Sequence, residues 1–155
     1  MQIHLIAIGE RMPAWVETAF KEYAGRLPAH CRLALREIPA GRRAKGADIA
    51  RLVREEGAKL LAAVPKHCRV VALDRQGREL NTEELAGELK TQMAHGEDLA
   101  LLIGGPEGLS AECLARAQAR WSLSRLTLAH PLVRVVIAEQ MYRAWSILNN
   151  LPYHR

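Results

Sequence analysis

The stretch from residue 101 to residue 110 has the residue types and spacing of a ligand-binding loop. Its first three residues are apolar and predict the end of a strand that is covered on both faces. Gly104 and Gly105 follow, and their lack of side chains lets a ligand approach the backbone closely. Ligands of open α/β sheets bind at the carboxyl ends of the strands, so this loop is a candidate binding site.

The same loop matches neither of two common phosphate-binding motifs. The Gly-Gly-Pro-Glu-Gly run at 104–108 differs from the Gly-x-Gly-x-x-Gly of dinucleotide-binding folds, and no Gly-Lys-Ser/Thr of a P-loop follows it. A tight strand-to-helix connection is therefore the alternative interpretation, because glycine-rich turns often serve that purpose. Ser110 is placed to cap the helix that follows.

A second candidate is the basic loop at residues 39–47, which carries Arg42, Arg43 and Lys45 and has a glycine near each end. Such a loop could become ordered on RNA phosphates. The net charge of +5 favours a polyanionic partner. The alternative is a solvated basic surface, which is common on proteins that bind no nucleic acid.

Length and composition narrow the class of protein. A chain of 155 residues predicts one domain, spanning 1–155. Its three cysteines, Cys31, Cys68 and Cys113, lie far apart and form no Cys-x-x-Cys motif, so we expect neither a disulfide framework nor a metal site. No apolar run is long enough to span a membrane, and the first residues resemble a strand rather than a signal peptide. We therefore expect a cytoplasmic protein without a membrane partner.

Strand and helix patterns alternate along the chain, which predicts an α/β domain with a mostly parallel sheet. The apolar patterns place strands at 2–8, 32–38, 69–74, 98–103 and 121–128. A turn at 75–78 follows the third strand, and Thr82 is the expected cap of the next helix. The other helices are expected at 13–27, 48–63, 111–119 and 130–149.

The last of these helices carries apolar residues around most of its circumference. One stripe contains Val133, Ile137, Met141 and Ala144, and others contain Leu132, Val135, Val136, Trp145 and Leu148. Two interpretations account for this: the helix is central to one large core, or it also forms a homodimer interface.

Five stretches of the C-terminal third resemble the RlmH (YbeA) family of small SPOUT-class methyltransferases. They are residues 101–108 (LLIGGPEG), 121–124 (WSLS), 127–134 (TLAHPLVR), 142–147 (YRAWSI) and 153–155 (YHR). The resemblance covers essentially the full length and includes the strand that ends at Gly9. It implies a SPOUT-type sheet with helices on both faces and a deep C-terminal trefoil knot. It also implies a homodimer that methylates N3 of a pseudouridine in 23S ribosomal RNA, acting on ribosomal RNA or the ribosome.

The resemblance further implies that the methyl donor is S-adenosylmethionine. It places this cofactor on a set of residues near three strand ends: Leu73, Gly104, Gly105, Leu123, Ser124, Arg125, Leu126, Thr127 and Leu128. This is physically sensible, because backbone N–H and C=O groups can read an adenine edge while leucine side chains supply apolar walls.

Methylation at N3 requires that the pseudouridine lose a proton, so a base or a stabilising cation is needed. Given the resemblance, His130 is a candidate, although it precedes Pro131 and could merely shape the start of a helix. Arg134 lies in the first turn of that helix, where the helix dipole disfavours a cation. It could grip a phosphate or a uracil carbonyl, or it could pair with Glu139 or another acid.

The last three residues, Tyr153, His154 and Arg155, complete the set of catalytic candidates. Terminal residues are usually frayed, but the resembling family ends in the same three residues. We therefore expect the tail to reach a substrate pocket, in its own subunit or across a dimer. The alternative functions are a non-catalytic RNA-binding or ribosome-assembly factor, and a SPOUT methyltransferase acting on tRNA.

Overall fold

Strands and helices alternate in the computed structural model, which describes all 155 residues. The strands are β1 (Gln2–Ile8), β2 (Arg32–Ile38), β3 (Cys68–Glu79), β4 (Asp98–Ile103) and β5 (Ala119–Ser122). The helices are α1 (Ala14–Ala24), α2 (Ile49–Ala63), α3 (Thr82–His95), α4 (Ala111–Arg116) and α5 (His130–Leu148). A short 3-10 turn at Ala29–Cys31 leads into β2.

The strands form one sheet in the order β2-β1-β4-β3-β5, and every neighbouring pair is parallel. This confirms the predicted α/β class and its parallel sheet. Strands β1, β4 and the first half of β3 are central and mostly apolar, as is typical of strands buried on both faces, whereas the second half of β3 is polar. The half-polar strand β2 lies at an edge.

Side-chain alternation along β1 divides the core into two layers. Ile3 and Leu5 belong to the larger layer, which packs under α1, α3 and α5. Ile6 and Ile8 belong to the smaller layer, which packs under α2 and α4. The sheet is therefore covered by helices on both faces, as predicted. None of the helices combines the length and the hydropathy that a membrane-spanning helix requires.

The predicted strand at 121–128 is wrong beyond Ser122, where β5 ends. Residues 123–129 form an irregular segment whose polar groups bond locally: the Leu126 N–H donates to Ser124 Oγ at 2.9 Å. Serine and threonine side chains that bond to nearby backbone compete with strand pairing, which explains why the alternating pattern was misleading.

The predicted turn at 75–78 is also wrong, because β3 continues to Glu79. Its pairing with β5 shifts register between Leu73 and Arg78. Gly77 permits this arrangement, since a Cβ there would lie 2.7 Å from the carbonyl carbon of Arg120.

The cap of α3 is Asn81 rather than Thr82. The Asn81 side chain accepts from the Glu84 N–H, and the Glu84 carboxylate accepts from the Asn81 N–H, both at 2.8 Å. Thr82 instead donates from Oγ1 to Gln140 Oε1 at 2.9 Å, which ties α3 to α5.

Candidate functional site

A cavity of about 600 Å³ lies at the carboxyl ends of β4 and β5 and beside the middle of β3. Its walls come from residues 73–76, 103–109, 121–124 and 126–128, together with Leu114 of α4 and His130 and Val133 of α5. The structure brings nearly all of the predicted cofactor residues to this cavity: Leu73, Gly104, Gly105, Leu123, Ser124, Leu126, Thr127 and Leu128. Arg125 is not in its lining; its side chain is 86% exposed and lies 3.5 Å from a carboxylate oxygen of Glu79.

The glycine loop forms a tight turn that presents backbone to the cavity. The Gly108 N–H donates to the Gly105 carbonyl oxygen at 3.0 Å, and Gly108 has a φ of +86°. A Cβ on Gly104 would collide with the backbone of Gly108, so this position requires glycine. The predicted cap is confirmed, since Ser110 Oγ accepts from the Cys113 N–H at 3.2 Å.

Arg43 braces this loop from outside the cavity. Its two terminal nitrogens donate to the two carboxylate oxygens of Glu56, each at 2.6 Å. Nη2 also donates to Glu107 Oε2 at 2.8 Å, which lowers the pKa of the Glu107 carboxyl. One guanidinium thus connects the basic loop, α2 and the glycine loop. Its neighbour Arg42 is exposed and makes no ion pair.

The irregular segment after β5 forms the opposite wall. Ser122 Oγ donates to the Ser124 carbonyl oxygen at 3.1 Å, and Arg75 of β3 donates to Thr127 Oγ1 at 3.2 Å. Leu126 is 76% exposed, an unusual position for a large apolar side chain. The segment thus offers backbone groups and an uncovered apolar side chain at the mouth of the cavity.

Behind the cavity, Arg134 is almost fully buried, with only 1% of its surface exposed. Nη1 donates to Glu37 Oε2 at 2.6 Å, and Nη2 donates to the Gly9 carbonyl oxygen at 2.8 Å. These contacts favour the second of the two roles considered for Arg134, an ion pair within the protein. The partner is Glu37 of β2 rather than Glu139.

His130 lies between Arg134 and the glycine loop. Its Nε2 is 3.4 Å from Arg134 Nη2, and since a guanidinium only donates, Nε2 accepts and the ring proton lies on Nδ1. Burial, followed by the charge of Arg134, lowers the pKa of His130, while a hydrogen bond to the Gly104 backbone acts in the opposite direction. The imidazole is therefore neutral near pH 7.

The C-terminal tail packs against α5 instead of fraying. Tyr153 donates from its hydroxyl to Glu139 Oε1 at 2.9 Å, and its ring meets the Tyr142 ring edge-on with the centroids 4.7 Å apart. His154 Nε2 lies 3.1 Å from Glu83 Oε1 of α3. Burial and Glu139 raise the pKa of Tyr153, so it stays protonated and donates. Arg155 is exposed.

Within one chain the tail is not in the cavity beside the glycine loop. His154 lines a second cavity, of about 400 Å³, between α3 and α5. The two cavities share Trp121, Ser122 and Leu123 in their walls. The end of β5 is therefore a thin partition between the glycine-loop cavity and the tail.

Comparison with known proteins identifies the family. The profile described as "Predicted SPOUT methyltransferase" matches residues 1–154. The chain belongs to the SPOUT methyltransferase family. A protein of Thioalkalivibrio sulfidiphilus named "Ribosomal RNA large subunit methyltransferase H" is 62% identical over all of this chain and 99% of its own length. A protein of the same name from Methylococcus capsulatus is 53% identical over all of both chains. The resemblance to the RlmH family is thereby confirmed.

Solved structures share the fold of this SPOUT methyltransferase at lower sequence identity. A probable methylase family protein from Haemophilus influenzae Rd KW20 is 14% identical, with a TM-score of 0.56 over 99% of this chain and 70% of its own. A structure described as giving insights into the 2-OH methylation of C/U34 on tRNA is 21% identical, with a TM-score of 0.53 over 96% of this chain and 97% of its own. These likenesses support the SPOUT fold alone.

Sequence reasoning missed the acids that anchor Arg43, Arg134 and Tyr153 around the candidate site. Glu56 is 4% exposed on α2, and it lies one helical turn before the buried Leu60. Its position on an apolar helix face was the available signal, because a carboxylate there requires a buried cation. For Glu37 and Glu139 no comparable signal exists. Glu37 meets Arg134 only because β2 lies next to β1 in the sheet, and Glu139 meets Tyr153 only because the C-terminal tail folds back along α5.

Proposed function

We propose that this methyltransferase transfers a methyl group from S-adenosylmethionine to N3 of a pseudouridine in large-subunit ribosomal RNA. The observation that carries the proposal is the meeting of Leu73, the glycine loop and the 123–128 segment around one cavity. These are the stretches that the RlmH resemblance assigns to the cofactor. Relatives that are 62% and 53% identical over the full chain are named as large-subunit ribosomal RNA methyltransferases.

The cavity residues fit the proposed cofactor. The cavity volume of about 600 Å³ falls within the range of small-molecule binding sites. Gly104 lets the loop fold tightly on itself, since a Cβ there would collide with the Gly108 backbone, and Leu73 and Leu128 line the cavity with apolar side chains. When bound, the sulfonium supplies an electrophilic methyl group. The chain's own task is to hold the two reactants in line, which is the main requirement of a single displacement.

In this proposal Arg134 and His130 position the site instead of touching RNA. The buried guanidinium links β2, the end of β1 and α5 through Glu37 and Gly9. The Nε2 lone pair of His130 accepts a hydrogen bond from Arg134, so this nitrogen is poorly placed to take the N3 proton. It supports the Gly104 backbone and thereby keeps the cavity floor in place.

The tail is the proposed substrate side of the site. Tyr153, His154 and Arg155 offer a hydroxyl, an imidazole and a cation, which suit the loss of the N3 proton and the charge that develops on the uracil ring. Glu139 and Glu83 fix the first two side chains. The shared wall of residues 121–123 keeps this group next to the cofactor cavity. Arg42 is the proposed phosphate contact.

A homodimer through α5 is part of the proposal. Ile137, Met141 and Ala144 are buried in the core of the chain itself and are not available to a partner. Leu132, in contrast, is 40% exposed, and Val135 next to it is half-buried outside that core. A partner α5 would cover this apolar surface as an isologous contact. Sedimentation should show a dimer, and only monomer would contradict this part of the proposal. The proposed location is the cytoplasm, where ribosomes are found.

The test is methyl transfer from labelled S-adenosylmethionine to ribosomes that lack the modification, with free ribosomal RNA and tRNA in parallel. We expect label on N3 of a pseudouridine in the large-subunit RNA, and none with the Gly104→Ala variant. Cofactor binding without label on any RNA would favour a non-catalytic assembly factor. Label on tRNA alone would favour a tRNA methyltransferase and overturn the proposed substrate.

A further inference from the structure

Three potential metal ligands meet at the edge of the sheet opposite the glycine loop. His4, Cys68 and Asp98 lie near the amino-terminal ends of β1, β3 and β4, which are adjacent strands. Cys68 pairs with Asp98 in the strand register, and His4 pairs with Ala100, two residues beyond Asp98. Because side chains alternate along a strand, all three point to the same face of the sheet, the one that carries α2 and α4.

The donor atoms of these residues converge. One donor atom from each lies within 4.8 Å of both others, and His4 Nε2 is 3.7 Å from Asp98 Oδ2. His4 Nε2 is buried and has no hydrogen-bond partner. Buried polar atoms are normally satisfied, so an orphaned imidazole nitrogen beside a thiol and a carboxylate requires an explanation.

The remaining contacts leave these donors free. Asp98 accepts from the Gln2 N–H with Oδ1, at 2.7 Å, which fixes the carboxylate and keeps Oδ2 toward His4. The Cys68 thiol is 5% exposed and makes no disulfide. Glu97 and Arg116 are the other charged groups acting on this thiol, and their charges are opposite. The charged groups around the Cys68 thiol therefore carry no net positive charge that would oppose the binding of a cation.

We propose that His4, Cys68 and Asp98 form a zinc-binding site. One imidazole, one thiolate and one carboxylate are ligands that Zn²⁺ takes in proteins, with bonds of about 2.0–2.3 Å in a tetrahedron. Such bonds place ligand atoms about 3.3–3.7 Å apart, so the widest separation between the donor atoms of these residues must shorten by about 1 Å when the ion binds. The fourth position is taken by water. On binding, the Cys68 thiol releases its proton to solvent as the zinc–sulfur bond forms.

The proposed site is separate from methyl transfer. It joins the amino-terminal ends of three central strands, whereas the proposed cofactor cavity begins at Ile103, the last residue of β4, and at Leu73, five residues into β3. Its expected effect is on stability, because an ion that binds only the folded chain favours that state. Cysteine spacing could not indicate the site, since its ligands are 64 and 30 positions apart along the chain and meet only through strand order.

The test uses the full-length protein after treatment with a chelator and gel filtration. Zn²⁺ binding is measured by calorimetry and by metal analysis, and Co²⁺ is used as a spectroscopic probe. We expect one ion per chain, a thiolate-to-cobalt charge-transfer absorption, and a higher Tm with Zn²⁺. Asp98→Asn removes a ligand oxygen but keeps the acceptor for Gln2, and it should raise the Kd for Zn²⁺ at least 10-fold. His4→Gln should do the same.

Matched controls separate this site from adventitious binding. Cys31→Ala alters another buried free thiol and should leave Zn²⁺ binding unchanged, whereas Cys68→Ala should remove the charge-transfer absorption. His154→Gln tests whether the exposed tail histidine binds the ion. The proposal is overturned if the wild-type chain binds less than one ion, if Co²⁺ binds without the thiolate absorption, or if Asp98→Asn and His4→Gln bind Zn²⁺ as the wild type does.

Discussion

Replacing Arg43 by alanine should destabilise the protein strongly, although the residue lies in a basic surface loop. Glu56 would lose both charged hydrogen bonds of 2.6 Å while its side chain stays 6% exposed. Removing one partner of a buried ion pair costs about 3–5 kcal/mol. Because the Arg43 side chain is 22% exposed, we take the lower end, about 3 kcal/mol. For a domain of this length that corresponds to a Tm about 6–12 °C lower.

Urea unfolding and thermal denaturation measure this loss, and Arg42→Ala is the matched control. Arg42 is exposed and unpaired, so its replacement should change the unfolding free energy by no more than about 0.5 kcal/mol. If Arg42 contacts a phosphate, the slope of log K for RNA against log salt should fall by about 0.7–0.9 in that variant.

The double variant Arg43→Ala/Glu56→Gln provides an internal check. It removes the unpaired buried charge, so it should be more stable than Arg43→Ala alone. Near wild-type stability of Arg43→Ala, together with a flattened salt dependence of RNA binding, would refute the reasoning. Arg43 would then act on RNA and not as a brace.

Three further predictions address the site. Gly104→Ala should weaken S-adenosylmethionine binding at least 10-fold in calorimetry, because its Cβ collides with the Gly108 backbone; unchanged affinity would place the cofactor elsewhere. Unfolding restores the usual pKa of His130, so the unfolded chain binds more protons and the unfolding free energy should fall as pH drops below about 6.5. His130→Gln should reduce that pH dependence, and an identical pH profile would contradict the assigned burial. Deleting residues 153–155 should abolish methyl transfer with cofactor affinity nearly intact, whereas Tyr153→Phe tests the bond to Glu139 alone.

The sequence predicted β1, β4 and the first half of β3 well because these are apolar runs with clear end signals, whereas the polar half of β3 and the position of β5 were missed. The proposed cofactor stretches followed from the family resemblance and not from periodicity: the 123–128 segment has the alternation of a strand, yet it bonds through Ser122 and Ser124. The local sequence pattern cannot distinguish a paired strand from an irregular segment here, because strand pairing depends on which backbone groups of β3 lie alongside.

The charged residues were the least predictable part. Arg43 and Arg42 are neighbours with the same local sequence character, but one is clamped by Glu56 and Glu107 and the other is exposed. Arg134 pairs with Glu37, 97 positions away. Such pairings are set by which strands and helices become neighbours, information that a single sequence does not carry in its spacing.

The strand order also constrains how the chain folds while it is being made. β1 leaves the ribosome first, but one of its two neighbours in the sheet is β4, which begins at Asp98. β1 and β2 can pair early, whereas β3 has no place beside them until β4 is inserted. At synthesis rates of about 5–20 residues per second, the side of β1 that pairs with β4 stays open for several seconds. The core then closes only when α5, near the end of the chain, covers Ile3 and Leu5. Such non-local pairing favours slow folding and makes the unfinished chain prone to aggregation.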